Sequence, residues 1–223
     1  YRDYIKKGGF DFLYDKVQLY DTLRLLINGK STTTDIPKIQ SSLEGINANM
    51  LHFLENHDEQ RIASPFFAGD PWKAIPAMLI SSVVDRGPVM IYFGQEVGEP
   101  GAGVEGFQGD DGRTTIFDYW GVPEHQKWLN GGRCDGGQLS AEQKKLRATY
   151  TKLLNLAKIS PAIVAGGTID LTAHNVSSGN MNSSIYACLR NAPDEVLLVV
   201  AGFNPDEQSI VLEIPEKVLS EIG

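Results

Sequence analysis

Two cysteines in 223 residues, Cys134 and Cys188, are too few to build a disulfide scaffold, and they fit no metal-binding spacing. His125 and His174 likewise have no partner at ligand spacing, so no metal site is expected within the chain. Cations are short as well: 20 Lys and Arg stand against 28 Asp and Glu, giving a formal charge of −8. That balance argues against a nucleic-acid partner, because phosphate backbones are held by clustered Lys and Arg. The longest apolar-looking run, Ala74 to Val84, is interrupted by Pro76, Ser81 and Ser82 and is too short to span a bilayer. No signal-peptide pattern opens the chain, which begins at Tyr1. That beginning reads as a processed product or a segment cut from something longer. The compartment is left open between extracellular, periplasmic and cytoplasmic.

What is present is globular in composition, with 42% apolar and 22% charged residues. Phe10 to Leu13 reads as a short strand, followed by a helix whose apolar positions Val17, Tyr20, Leu23 and Leu26 recur at helical spacing and stop at Gly29. Asp35-Ile36-Pro37 reads as an N-cap and early proline opening a second helix to about Leu43. Met50 to Leu54 is the next strand. Asp70-Pro71 repeats the cap-and-proline signal for a helix through Val84, with a kink expected at Pro76. Pro88 to Phe93 is continuous and apolar, as in a strand buried on both faces. The order is strand, helix, strand, helix, strand. A long loop, Gly94 to Leu139, precedes a capping box at Ser140 to Gln143 and a third helix bearing Leu146, Tyr150, Leu153 and Leu154.

Beyond Ser160-Pro161 the pattern changes to short strand candidates, Thr168 to Thr172, Ser184 to Leu189, Glu195 to Phe203 and Ser209 to Ile214, separated by turn clusters. These predict an antiparallel sheet domain. The expected division is therefore an α/β part over 1–159 and an all-β part over 160–223.

The most informative segment is Asn49 to Arg61, an apolar run that ends abruptly in Asn56-His57-Asp58 with Arg61 three residues on. Charged groups at the carboxyl end of a strand are where parallel α/β barrels build active sites. The plain alternative is that Asn56-His57-Asp58 caps a strand and starts a turn. The segment resembles the fourth signature region of the α-amylase family of glycoside hydrolases. Gly94-Gln95-Glu96 and Asp111 to Trp120 support the match. The resemblance implies the last strands, sixth to eighth, of a (β/α)8 TIM barrel, followed by a truncated β-sandwich domain.

It further implies that Asp58 is the third of the family's essential carboxylates, binding ring hydroxyls as the sugar distorts. His57, Asn56 and Trp120 would contact an α-glucan oligosaccharide or polysaccharide. Arg61 either holds a neighbouring carboxylate or is a solvated charge, and a supporting role is favoured. Glu96, on the same rim, is expected to support its loop through backbone hydrogen bonds. Asp15 and Asp21 read as charges on an exposed helix face. The Gly-Phe-Arg-x-Asp segment that carries the family's nucleophile does not occur, and the acid Glu would lie upstream. On this reading the chain is inactive alone and, with barrel strands exposed at both flanks, self-associates. Calcium is left to the parent protein, whose usual site would draw on upstream residues. Two alternatives stand beside this: a catalytically dead relative used in sugar binding or protein interaction, and a transglycosylase or sugar isomerase of the same family.

Overall fold

A computed structural model describes residues 1–103, 109–117, 121–206 and 209–222. In chain order the elements are α1 (Arg2–Lys6), β1 (Leu13–Tyr14), α2 (Asp21–Ile27), α3 (Asp35–Ser42), β2 (Met50–Leu51), α4 (Ile75–Val83), α5 (Pro123–Leu129) and α6 (Ala141–Ile159). There follow α7 (Pro161–Val164), β3 (Gly167–Asp170), α8 (Thr172–Ser177), β4 (Ile185–Ala192), β5 (Glu195–Gly202) and α9 (Glu216–Ile222). The chain divides into two compact units. One comprises Tyr1–His52, Pro76–Val89 and Asn155–Gly223, the other Phe53–Ile75 and Met90–Leu154.

In the first unit β1 pairs parallel with β2, Leu13 opposite Met50, and His52 extends the parallel pairing to Val89. Parallel neighbours cannot be joined by a tight turn, so each connection carries helices: α2 and α3 before β2, α4 before Val89. The ladder is shorter than the apolar runs predict. Only Leu13–Tyr14 and Met50–Leu51 form strands, and Pro88 to Phe93 contributes a single bridge at Val89. Residues 88–91 are half-buried, which corrects the expectation of a strand sealed on both faces. The reason is an open flank: full burial needs neighbours on either side, and only His52 pairs with this run among the described residues. At the other edge Phe10, Phe12 and Tyr14 are exposed. Below the ladder, Ile39, Leu43, Ile46 and Met50 form a buried cluster with Tyr1, Ile5 and Leu13 packed against it.

Local signals held where they were strongest. Asp70 caps its helical turn by accepting from the Trp72 amide, and the 3-10 turn Pro71–Ala74 passes into α4 at Ile75-Pro76, where the kink was expected. Ser140 and Gln143 exchange reciprocal bonds, the Gln143 amide donating to Ser140 Oγ and the Ser140 amide to Gln143 Oε1. Asp35, by contrast, is the first residue of α3 rather than its cap, and pairs with Lys38 at 2.8 Å. The long segment 94–139 contains α5, whose start at Val122-Pro123 carries proline at the first helical position.

The antiparallel sheet is β3-β4-β5, with a two-residue Pro193-Asp194 turn between Ala192 and Glu195. The fourth expected strand, Ser209 to Ile214, does not form. Its alternating residues Ile210, Leu212 and Ile214 do pack on the core of Leu171, Met181, Ile185, Ala187 and Leu189. Its backbone, however, is satisfied by a side chain: Asn175 Nδ2 donates to the Glu213 carbonyl and Asn175 Oδ1 accepts from the Glu213 amide, both near 2.9 Å. One amide group thus mimics a strand neighbour. Arg190 is fully buried and donates to the carbonyls of Ala162, Ile163, Gly166 and Val84.

Of Asp15 and Asp21, expected as charges on an exposed helix face, only Asp15 departs from that expectation. Asp21 does pair with Lys16 at the surface, but Asp15 is buried, caps the turn Lys16–Tyr20 through the Leu19 amide, and faces His52. His52 lies between two carboxylates, with Nδ1 3.4 Å from Asp15 and Nε2 2.9 Å from Asp85. Burial alone pushes the imidazole pKa down, but hydrogen bonds and charges of Asp15 and Asp85 more than reverse this and raise it to about 9. A base whose pKa is higher folded than unfolded stabilises the fold fully below its unfolded value and loses that contribution as pH rises through the folded one. Denaturation at increasing pH should therefore show stability falling by on the order of 3 kcal/mol between about pH 7 and pH 10. His52→Gln should flatten that slope, and an unchanged slope in the variant would dissociate it from His52.

Candidate functional site

The second unit begins where β2 ends. Phe53 and Leu54 are buried and anchor the chain, and Glu55 and Asn56 are buried in turn. Asn56 Oδ1 accepts from the amides of Asp58 at 2.8 Å and Glu59 at 2.9 Å, an Asx turn that bends the backbone outward. The turn lifts His57 and Asp58 to the surface, their side chains 38% and 73% exposed, with His57 Nε2 3.4 Å from Asp58 Oδ2. Asn56 thus spends its carbonyl on holding the turn, while the exposed carboxylate and imidazole are the groups free to meet a solute.

Beneath the turn lies a sealed ion pair. Arg61 is buried; its Nη1 donates to Glu55 Oε2 at 2.7 Å and its Nε to Thr114 Oγ1 at 2.9 Å. The guanidinium carbon sits 4.2 Å from the centre of the Tyr92 ring, a cation–π contact within a desolvated setting. The other Glu55 oxygen accepts from the Ile62 amide at 2.7 Å, so the carboxylate clamps both ends of the Asn56–Arg61 turn. Burial raises the pKa of Glu55, against the opposing pull of Arg61. Arg61 is therefore no solvated surface charge. Its partner, Glu55, was not singled out in the sequence; a carboxylate in register with an arginine six residues on was the available signal.

The same arginine ties in the Asp111 to Thr115 segment. The Arg61 amide donates to the Gly112 carbonyl at 2.7 Å, and Tyr92 donates its hydroxyl to the Thr114 carbonyl at 3.3 Å. Gly112 has φ +78°, and a Cβ there would run into Ser64, so glycine is required. Asp111 grips Arg113 through Nε at 2.8 Å and through Nη2. The charges of Asp58 and Glu59 reinforce Asp111 in raising the pKa of Arg113, so Arg113 stands within their field.

Glu96 sits on the 3-10 turn Gln95–Val97, half-buried, and its charge acts on His125 and Tyr150. No hydrogen bond or ion pair joins it to Asp58. The backbone support expected of Glu96 comes from its neighbours instead. Gln95 Oε1 accepts from the Tyr92 amide, and buried Glu99 accepts from the amides of Gly101 and Glu124. Trp120 lies outside the described residues. Among the described residues no group of three or more His, Cys, Asp or Glu is disposed to hold a metal ion, and no helix is long and apolar enough to cross a membrane. Cys134 is exposed and Cys188 buried, both as free thiols; burial pushes the Cys188 thiol up to about 11.

Removing one partner of a buried pair leaves the other charge uncompensated. Arg61→Met should cost about 3–5 kcal/mol in urea denaturation. Arg61→Met combined with Glu55→Gln should recover a large part of that loss. Equal or additive loss in the double variant would show that the two are not coupled.

No family model matches the chain. In sequence it is 25% identical over 228 residues to an oligo-1,6-glucosidase of Bacillus cereus, covering 82% of this chain and 39% of that protein. In structure it is similar to AmyP solved with maltose, with a TM-score of 0.60 at 19% identity over 92% of this chain and 44% of the other. It is also similar to the noncanonic maltogenic α-amylase AmyB of Thermotoga neapolitana, with a TM-score of 0.57 at 17% identity over 91% and 40% of the two chains. The chain thus spans about 40% of the length of the proteins it matches. In sequence and in fold it resembles the α-amylase family of glycoside hydrolases.

Proposed function

We propose that the chain is a carboxy-terminal portion of a retaining glycoside hydrolase acting on α-1,4-linked glucans, in which Asp58 is the third, transition-state-stabilising carboxylate. The observation that carries this is the Asn56 turn: it presents Asp58 and His57 to solvent at the end of a parallel strand, on a base locked by Glu55 and Arg61. A structural neighbour solved with maltose and maltotriose supports an α-glucan oligosaccharide as substrate. On this reading residues 1–159 supply barrel strands six to eight and residues 160–223 part of the β-sandwich domain. Any calcium belongs to the longer protein.

In such a site two further carboxyl groups carry the chemistry, one as acid and one as nucleophile. Asp58 would accept hydrogen bonds from ring hydroxyls, and its charge would raise the pKa of the nearby acid, keeping its proton available near neutrality. His57 donates to the same sugar and Trp120 completes the contacts, while Asn56 holds the turn that presents Asp58 and His57. Arg61 holds the rim through Glu55, and Glu96 lies half-buried on it. The hydrogen bonds to the sugar contribute to rate only so far as they strengthen in the transition state.

In the full-length protein, Asp58→Asn should lower kcat by roughly a hundredfold or more with little change in KM. A large rise in KM at unchanged kcat would reassign Asp58 to plain binding. The chain alone should not turn over starch, since it lacks the nucleophile motif.

The open flanks of the parallel ladder, with Phe10, Phe12 and Tyr14 exposed, support self-association of the isolated chain. Sedimentation velocity should show dimers or larger species that dissociate on dilution. A compact monomer at all concentrations would count against it.

A further inference from the structure

Away from the Asp58 turn, the second unit holds a cavity of about 430 Å³ between α5 and the first turns of α6, lined by Trp128, Asp135, Leu139, Lys144, Arg147 and Lys152. Its charge runs against that of the molecule. From Gln143 to Ile169 the sequence carries Lys144, Lys145, Arg147, Lys152 and Lys158 and no carboxylate, within a chain of net charge −8. Among the described residues none of Lys144, Arg147 and Lys152 forms an ion pair. Asp135, the one acidic residue in the lining, is already engaged. It accepts from Asn130 Nδ2 at 2.6 Å and from the Gly137 amide at 2.9 Å, and stands 3.6 Å from Arg133.

Arg147 gives the site its fixed point. Its guanidinium is held over the Trp128 ring, 5.3 Å from the centre, and its Nε is buried with no acceptor. With Nε sealed off, an anion entering the cavity would be met by the terminal N–H groups of the same guanidinium. Lys144 and Lys152, two turns apart on α6, are exposed and mobile enough in their stems to close on such an anion from both sides. Leu139 and the indole edge supply an apolar wall for whatever the anion is attached to. The volume suits a small ligand.

We propose that this cavity binds a phosphate monoester, its oxygens on Arg147, Lys144 and Lys152 and its organic body against Trp128 and Leu139. The site is separate from the Asp58 turn in residues and in chemistry, and does not rest on the glycosidase reading.

The test titrates the full chain with glucose 6-phosphate, inorganic phosphate and glucose, following bound phosphorus by equilibrium dialysis and Trp128 by fluorescence against a Trp128→Phe control. The monoester should bind with Kd of roughly 1 mM, about tenfold tighter than inorganic phosphate, and glucose should not bind. Lys144→Gln and Lys152→Gln, both at exposed positions that leave the fold intact, should each weaken binding roughly fivefold. Arg147→Met should weaken it about tenfold or more. Equal affinity for inorganic phosphate would overturn the monoester assignment. No bound phosphorus at about 20 mM, or unchanged affinity in both lysine variants, would overturn the site itself.

Discussion

A guanidinium removed from water must place its N–H groups, and two buried arginines organise the chain around that demand, Arg190 through backbone carbonyls and Arg61 through side chains, with Arg61 Nη2 left without an acceptor. Arg61 takes Glu55, Thr114 and the face of Tyr92, and so draws into one cluster three stretches of chain that are distant in sequence. The Asn56 turn rides on that cluster. Arg190 does the equivalent for the first unit, where its hydrogen bonds collect carbonyls from α7, from the segment before β3 and from the end of α4. Neither is a gain in stability by charge alone. Each is a constraint, since the segments it binds have few other ways to satisfy their polar atoms once buried.

Much of the local structure was legible because local structure is what short sequence patterns encode. The Ser140–Gln143 box, the Asp70 cap and the stop at Gly29 each involve groups within four residues of one another, and each formed. The failures have a different geometry. Ser209 to Ile214 alternates like a strand and packs like one, yet its backbone bonds go to Asn175, more than thirty residues earlier. No pattern within the segment could reveal that competitor. Asp15 reads as a surface charge until His52 is known to face it. A histidine inside an apolar run should have prompted a search for a carboxylate, because an imidazole so placed needs one when protonated.

The site was legible in a similarly divided way. The abrupt passage from Phe53-Leu54 into Asn56-His57-Asp58 marked the turn, and the turn is there. Which of its residues faces outward was not in the pattern. Asn56, named as a sugar contact, has its carbonyl turned inward to the backbone, whereas Glu55, overlooked as one more residue of the run, carries the pair that supports it. Arg113 was passed over because its nearness to Asp58 depends on a return of the chain across more than fifty residues.

Thr33 donates to the carbonyl of Ile185 at 2.7 Å, a bond that closes 152 residues of chain, and the Thr33 amide is held by Ser183. On a ribosome extending the chain at about 5–20 residues per second, the partner of Thr33 is absent for roughly ten seconds or more after Thr33 is made. During that interval Thr33 lacks the carbonyls it pairs with in the finished fold, and α3, which follows it, is without that anchor. The β4–β5 hairpin, joined by two residues, closes within microseconds of its own synthesis. The contact between Thr33 and β4 is thus timed by synthesis of the distant strand, not by folding of the local helix.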